Sequence, residues 1–288
     1  MSSAQHKWKL QMAPWALLSV SVAWGLSFIL MKDAIARQSV NNFLFTRFSV
    51  AALVMVLIRP KIFKLIDRGL LLRAGAAGVF LGSGYILQTL GLARTGAAIT
   101  GFVTGLYIVL TPLFASIFLR QRVGRFTWSC IAIATLGLAL LSIHGWSIGL
   151  GELLTFFSAV FFALHITALS KWSSGRDTYA MTVVQLTACA VMAGLASIPG
   201  GYQLPPDSGV WGVVIFTAVF ATVIAFIIQT WSQAHMSAVK VAVILTMEVV
   251  FAALFAILLG GERLTIKSSI GGILVVSAMY LIVVKEEK

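Results

Sequence analysis

Glu248 lies about twelve residues into the apolar run 236–259, ~18 Å along a helix and near the middle of a bilayer. An ionisable side chain in hydrocarbon costs several kcal/mol, so it needs a reason. A carboxyl group at that depth can exchange a proton or hold a substrate amine; alternatively it is a structural acid bonded to a neighbouring helix. Lys240 precedes it by eight residues, ~12 Å along the same helix, too far for a direct pair on an unbroken helix. Its ammonium either meets a carboxylate or phosphate of a substrate or snorkels to the interface. Arg47, a turn and a half into the run 42–58, can bind an anionic group, cap a helix end or reach a lipid headgroup. His165, in the run 150–170, either relays protons, because imidazole titrates near neutrality, or packs as a satisfied polar residue. Gln88 and Gln229 can hydrogen-bond a substrate or join helices. Trp24 and Tyr107 near mid-depth, with Phe28, Tyr85 and Trp231 nearer the ends, can wall a cavity or simply pack.

Several of these residues are related by a repeat. Tyr85-Ile86-Leu87-Gln88-Thr89 returns as Phe226-Ile227-Ile228-Gln229-Thr230, 141 positions later. In the same register Ala93 meets Ala234, Ala97 meets Ala238, Leu113-Phe114-Ala115 meets Leu254-Phe255-Ala256, and Arg122 meets Arg263. Tyr107 is thereby the counterpart of Glu248, while His165 falls near the counterpart of Ser27 with an offset of about 138. Duplicated hydrophobic units point to alternating access, with a site where the two copies meet.

Composition supplies the setting. The 288 residues are 59% hydrophobic and only 10% charged, with a mean hydropathy of +0.98. Soluble domains carry roughly 25% charged residues, so lipid must be the solvent here. The apolar runs predict ten helices, at roughly 14–31, 42–58, 74–93, 96–118, 126–143, 150–170, 179–198, 209–231, 236–259 and 268–284. Each is near the ~20 residues that cross ~30 Å of hydrocarbon, and there is no period-two alternation of a barrel. The first run continues past signal-peptide length without a clear cleavage site and reads as a retained span. With the N-terminus cytoplasmic, 14 Lys and Arg fall on the cytoplasmic side and 5 on the other, which places both termini in the cytoplasm. That asymmetry accounts for the net charge of +12 without nucleic acid. Five spans per unit is odd, so the second unit starts from the opposite face. The expected fold is all-α and integral to the membrane, ten helices as two inverted five-helix repeats, residues 1–145 and 146–288.

Certain residues are familiar in order and spacing. Trp24-Gly25-Leu26-Ser27-Phe28, Arg47-Phe48, Thr111-Pro112-Leu113, Met247-Glu248 with Phe251-Ala252-Ala253, and Gly261-Glu262-Arg263-Leu264 resemble the EamA family of the drug/metabolite transporter superfamily. The resemblance implies ten helices around a central cavity, and a small-metabolite transporter, often an exporter, that works as a monomer in the inner membrane of a prokaryote. One departure is visible. The family's Glu-Pro pair is Glu248-Val249 here, and the helix-breaking proline is kept only as Pro112, which weakens the expectation that both halves bend alike.

The leading reading is a secondary transporter of amino acids or other small amphipathic metabolites. Glu248 and His165 are the candidates for proton coupling, and Trp24, Phe28, Arg47, Tyr85, Gln88, Tyr107, His165, Gln229, Trp231, Lys240 and Glu248 for the cavity. A passive facilitator and a lipid flippase are the alternatives within transport. No Walker-type loop is present for ATP, and no cofactor is expected. An intramembrane enzyme is the rival class. His6, His144, His165 and His235 are scattered, no carboxylates are paired in one span, and Cys130 and Cys189 have no metal spacing, so neither a metal nor a catalytic cluster is expected.

Overall fold

The computed structural model describes residues 3–95, 97–142, 149–260 and 265–285. Gly96, His144, Lys288 and the Gly261-Glu262-Arg263-Leu264 motif fall outside the described residues, as do the side chains of His6, Lys7, Trp8, Lys9, Ala97, Ala256 and Lys285. Among the described residues the regular structure is entirely helical. In chain order the helices are α1 (Ser3–Arg37), α2 (Val40–Ile58), α3 (Arg68–Leu92), α4 (Ala97–Gly105), α5 (Tyr107–Leu119), α6 (Arg125–Ser142) and α7 (Leu150–Trp172). There follow α8 (Thr178–Ser197), α9 (Ser208–Ala218), a π segment (Val219–Ile224), α10 (Ala225–Gln233), α11 (Ala238–Leu245), α12 (Met247–Gly260) and α13 (Ile266–Lys285). Among the described residues eight stretches are long and apolar enough to cross a membrane; the apolar helices Arg125–Leu140 and Ser269–Ile282 are shorter.

The polarity of the chain is turned inside out. Leu57, Ile58, Leu72, Ile117, Leu258 and Ile273 face outward, whereas Ser21, Thr89, Thr182, Gln185 and Arg47 are buried. Hydrocarbon tolerates the first set, and only protein can satisfy the second.

Helix starts follow the short polar residues between the runs. Ser39, Asp67, Asp177 and Asp207 accept the backbone N–H of Asn42, Leu70, Ala180 and Val210, capping α2, α3, α8 and α9. Ser39 and Asp177 are 138 positions apart, and Asp67 and Asp207 are 140 apart. The offset then grows to 141 at Tyr85 and Phe226. The additional residue is absorbed by the π segment Val219–Ile224, because a π-bulge is one residue inserted into an α-helix.

Two spans are broken midway. α4 ends at Gly105 and α5 begins at Tyr107; α11 ends at Leu245 and α12 begins at Met247. Both breaks are tight turns closed by i→i−3 bonds, Val109 N–H to Leu106 O at 3.0 Å and Val249 N–H to Thr246 O at 3.1 Å. The two spans therefore break at comparable places although only the first contains a proline, contrary to the expectation drawn from Pro112. Pro112 lies six residues beyond the first break and is not its site. At the second break the Ser21 hydroxyl of α1 lies 3.3 and 3.4 Å from the carbonyls of Ile244 and Leu245, and 3.3 Å from Leu17 O of its own helix.

The core divides into two packed bodies. One gathers α2, α3, α8 and α9–α10 with the second half of α1; the other gathers α5, α6, α7, α11, α12 and α13 with its first half. Trp24 and Phe162 pack against both.

Candidate functional site

The seam between the two bodies is open. A cavity there holds about 560 Å³ of atom-free space, its open side included. Its polar lining comes from Ser27, Arg47, Tyr85, Gln88, Tyr107, His165, Gln229 and Glu248. Its apolar lining comes from Trp24, Phe28, Met31, Leu81, Phe162, Ile166, Phe226 and Leu245. Nine of the eleven sequence candidates meet here; Trp231 and Lys240 do not. Helix geometry accounts for Trp231. Phe226 and Gln229 are three residues apart and share a face, whereas Trp231 is rotated roughly 200° from Gln229. Its ring lies instead against His235, centroids 5.2 Å apart. Lys240 is in the first turn of α11, capped by Ser237 and buried, away from the lining.

Each wall has a local cause. Gly25 brings α1 onto the second break: a Cβ there would come within 2.7 Å of Ala252 N and 2.9 Å of Glu248 O. Its neighbours Trp24, Ser27 and Phe28 then face inward. Gly78 does the same for α3 against α8, meeting Gln185 O at 2.7 Å, which sets the face carrying Leu81, Tyr85 and Gln88. The aromatic wall is continuous: Tyr85 contacts Phe48, Phe162 and Phe226 at centroid distances of 5.3, 5.4 and 6.1 Å, and Trp24 meets Phe226 at 5.5 Å.

Glu248 stands in the first turn of α12, directly after the break, and is 5% exposed. The Tyr107 hydroxyl lies beside it, without reaching hydrogen-bond geometry, and has no other partner among the described residues. His165 Nε2 bonds Gln185 Oε1 at 2.8 Å, and Gln185 Nε2 in turn reaches Met181 O and Thr230 Oγ1. The two glutamines differ. Gln88 donates to Thr104 Oγ1 at 3.2 Å. Leu245 occupies the place 141 positions after Thr104, and Gln229 Oε1 is left without a partner among the described residues.

Some lining residues were readable from the offsets. Phe226 follows from Tyr85 at 141, and Phe162, His165 and Ile166 follow from Trp24, Ser27 and Phe28 at 138. Met31 and Leu81 carry no such signal.

Comparison with known proteins decides the family. The EamA-like transporter family matches residues 11–143 and again 149–284. The chain belongs to this family. An uncharacterized transporter of Archaeoglobus fulgidus is 28% identical over 268 residues, spanning 92% of this chain and 84% of that protein. A second from the same organism is 27% identical, spanning 95% of this chain and all of that protein, and the uncharacterized transporter YxxF of Bacillus subtilis is 25% identical over 218 residues, 74% of this chain and 70% of its own. A crystal structure with a TM-score of 0.78 covers 96% of this EamA-family chain and 99% of its own; at 16% identity it shares the fold alone. The molecule is thus an integral membrane protein of a transporter family, suited to a small-molecule substrate in a lipid setting.

Proposed function

We propose that this EamA-family protein is a secondary transporter of amino acids or similar small amphipathic metabolites, acting outward by alternating access. In this reading the chain forms ten spans as two inverted repeats, residues 1–145 and 146–288, works as a monomer, and keeps both termini on the cytoplasmic face of a prokaryotic inner membrane. The observation that carries it is a convergence. Tyr85 and Phe226, Gln88 and Gln229, and Tyr107 and Glu248 are each 141 positions apart, and all six line one cavity. Two copies of one packing, exchanging conformations about a shared site, open it to each face in turn.

Glu248 is the proposed proton-coupling group. It is the one carboxylate in the described cavity lining, with Tyr107, Tyr85, Arg47 and His165 as the other titratable or charged groups there. Its test is uptake of a labelled amino-acid mixture into proteoliposomes with and without an imposed proton gradient. Gradient-driven accumulation that Glu248→Gln abolishes supports coupling. Flux that ignores the gradient makes the protein a facilitator, and absence of any flux removes amino acids as the substrate class.

A further inference from the structure

Arg47 is 1% exposed, lines the cavity, and forms no ion pair with a described residue. Its Nε donates to Thr222 Oγ1 at 2.8 Å, its Nη2 to Ala221 O at 3.2 Å, and its Nη1 to the Met31 thioether at 3.2 Å. The guanidinium also lies 5.1 Å from the Tyr85 ring centroid and 5.5 Å from that of Phe48. Every one of these partners is neutral. A buried cation in a membrane protein is ordinarily held by a counter-charge or faces a cavity that supplies one.

The resting place of Arg47 is itself unusual. Ala221 and Thr222 belong to the π segment, where the offset between the two copies grows from 140 to 141. A π-bulge leaves a carbonyl without its helical donor. Ala221 O takes two donors from outside the helix, Trp24 Nε1 at 2.9 Å and Arg47 Nη2. Thr222 Oγ1 is already committed as a donor to Thr217 O at 2.8 Å. These bonds occupy one edge of the guanidinium, and the thioether on the remaining nitrogen is a weak acceptor that a stronger one displaces.

We propose that Arg47 is a carboxylate subsite, so that the substrate of the proposed transporter bears a carboxylate beside an aromatic or comparably apolar body. The fork of an arginine matches the two oxygens of a carboxylate, which a lone ammonium does not. Trp24, Tyr85, Phe162 and Phe226 supply the apolar wall around that body. The subsite deepens the transport reading and rests on it for its role, yet binding is separable from flux.

The test uses the purified full-length protein in nanodiscs and two labelled probes of nearly equal shape, benzoate and benzamide, in equilibrium dialysis. The wild type should bind benzoate more tightly than benzamide. Arg47→Gln should weaken benzoate about tenfold or more, the usual effect of losing a hydrogen bond to a charged group, and leave benzamide unchanged. Met31→Leu keeps the cation and the volume and removes the thioether that competes for Nη1, so benzoate should bind about threefold more tightly. That variant carries the test if Arg47→Gln does not fold. Equal binding of the two probes by the wild type, preserved preference in Arg47→Gln, or unchanged benzoate affinity in Met31→Leu would each overturn the subsite. Benzoate binding by a protein that moves no solute would sink the transport reading and leave the subsite standing.

Discussion

Two single residues set the cavity, one by chemistry and one by size. Glu248 is deeply buried and faces Tyr107, whose hydroxyl is unpartnered among the described residues. Glu248→Gln keeps the shape and removes the titratable group, so transport should fall and lose its pH dependence while expression persists. A normal pH profile in that variant ends the coupling role. Gly25 works by absence of a side chain. Gly25→Ala places a methyl group within 2.7 Å of Phe251 Cβ and Ala252 N, forcing α1 off α12. Overpacking of this kind costs about 1–3 kcal/mol, so a lowered thermal transition of the purified protein is expected; an unchanged one would mean that the helices separate freely. Polar candidates were legible at this scale because Glu248, Arg47 and the paired glutamines stand out against apolar runs. Phe226 was not singled out, since one phenylalanine among many carries no chemical signal. The 141 offset applied to Tyr85 identifies it.

Helices as elements were legible for the same reason: long apolar runs separated by Ser, Asp and Gly. Their interruptions were not. Pro112 advertised a break that falls elsewhere, at Leu106, while Thr246 breaks the companion span with no proline. The second turn carries a tertiary contact, the Ser21 hydroxyl near the carbonyls of Ile244 and Leu245, which the local sequence does not encode. The π segment was equally silent, although the drift from 140 to 141 between the caps and the glutamines is its trace. Phe220 within it is exposed, so its deletion removes the surplus residue and leaves the buried faces of α9 and α10 in register. The shortened protein should elute as a folded monomer, show altered Trp24 emission because the indole loses the Ala221 carbonyl, and transport poorly. Wild-type transport by the deletion would make the bulge incidental.

At the scale of the whole molecule, the proposed exchange of conformations between the two copies predicts contacts that alternate within the first body, which draws helices from both halves of the sequence. In that body the end of α1 is tied to the start of α9 by Arg37, which bonds Asp33 and reaches Asp207 at 2.6 Å. At the offset of 138 that holds on either side of it, Arg37 corresponds to Gly175, with Arg176 next to it, and Asp67 stands 140 positions before Asp207. Among the described residues these do not pair: Arg176 donates to Trp172 O, and Asp67 caps Leu70. Under the proposed alternating access, the second pair closes when the first opens. Asn caps helices as well as Asp does, so Asp207→Asn and Asp67→Asn remove the ion pairs and keep the helix starts. With Ser27→Cys in the cavity, side-selective maleimide labelling should shift toward one face in Asp207→Asn and toward the other in Asp67→Asn; shifts in the same direction would reject the exchange. Protonation separates this latch from the coupling site. The Val210 backbone N–H, and then the Arg37 bond, hold the Asp207 carboxyl below its ordinary value of 3.8. A group with a depressed folded-state pKa contributes above its unfolded value and loses that contribution only as pH falls through the folded one. The Arg37–Asp207 pair is therefore intact throughout the range of about pH 5 to 8 in which a histidine or coupling carboxyl can titrate. Asp207→Asn should change the rate of transport across that range without changing the shape of its pH profile, whereas Glu248→Gln should flatten it. A profile reshaped by Asp207→Asn would move the pH sensitivity from the cavity to the latch.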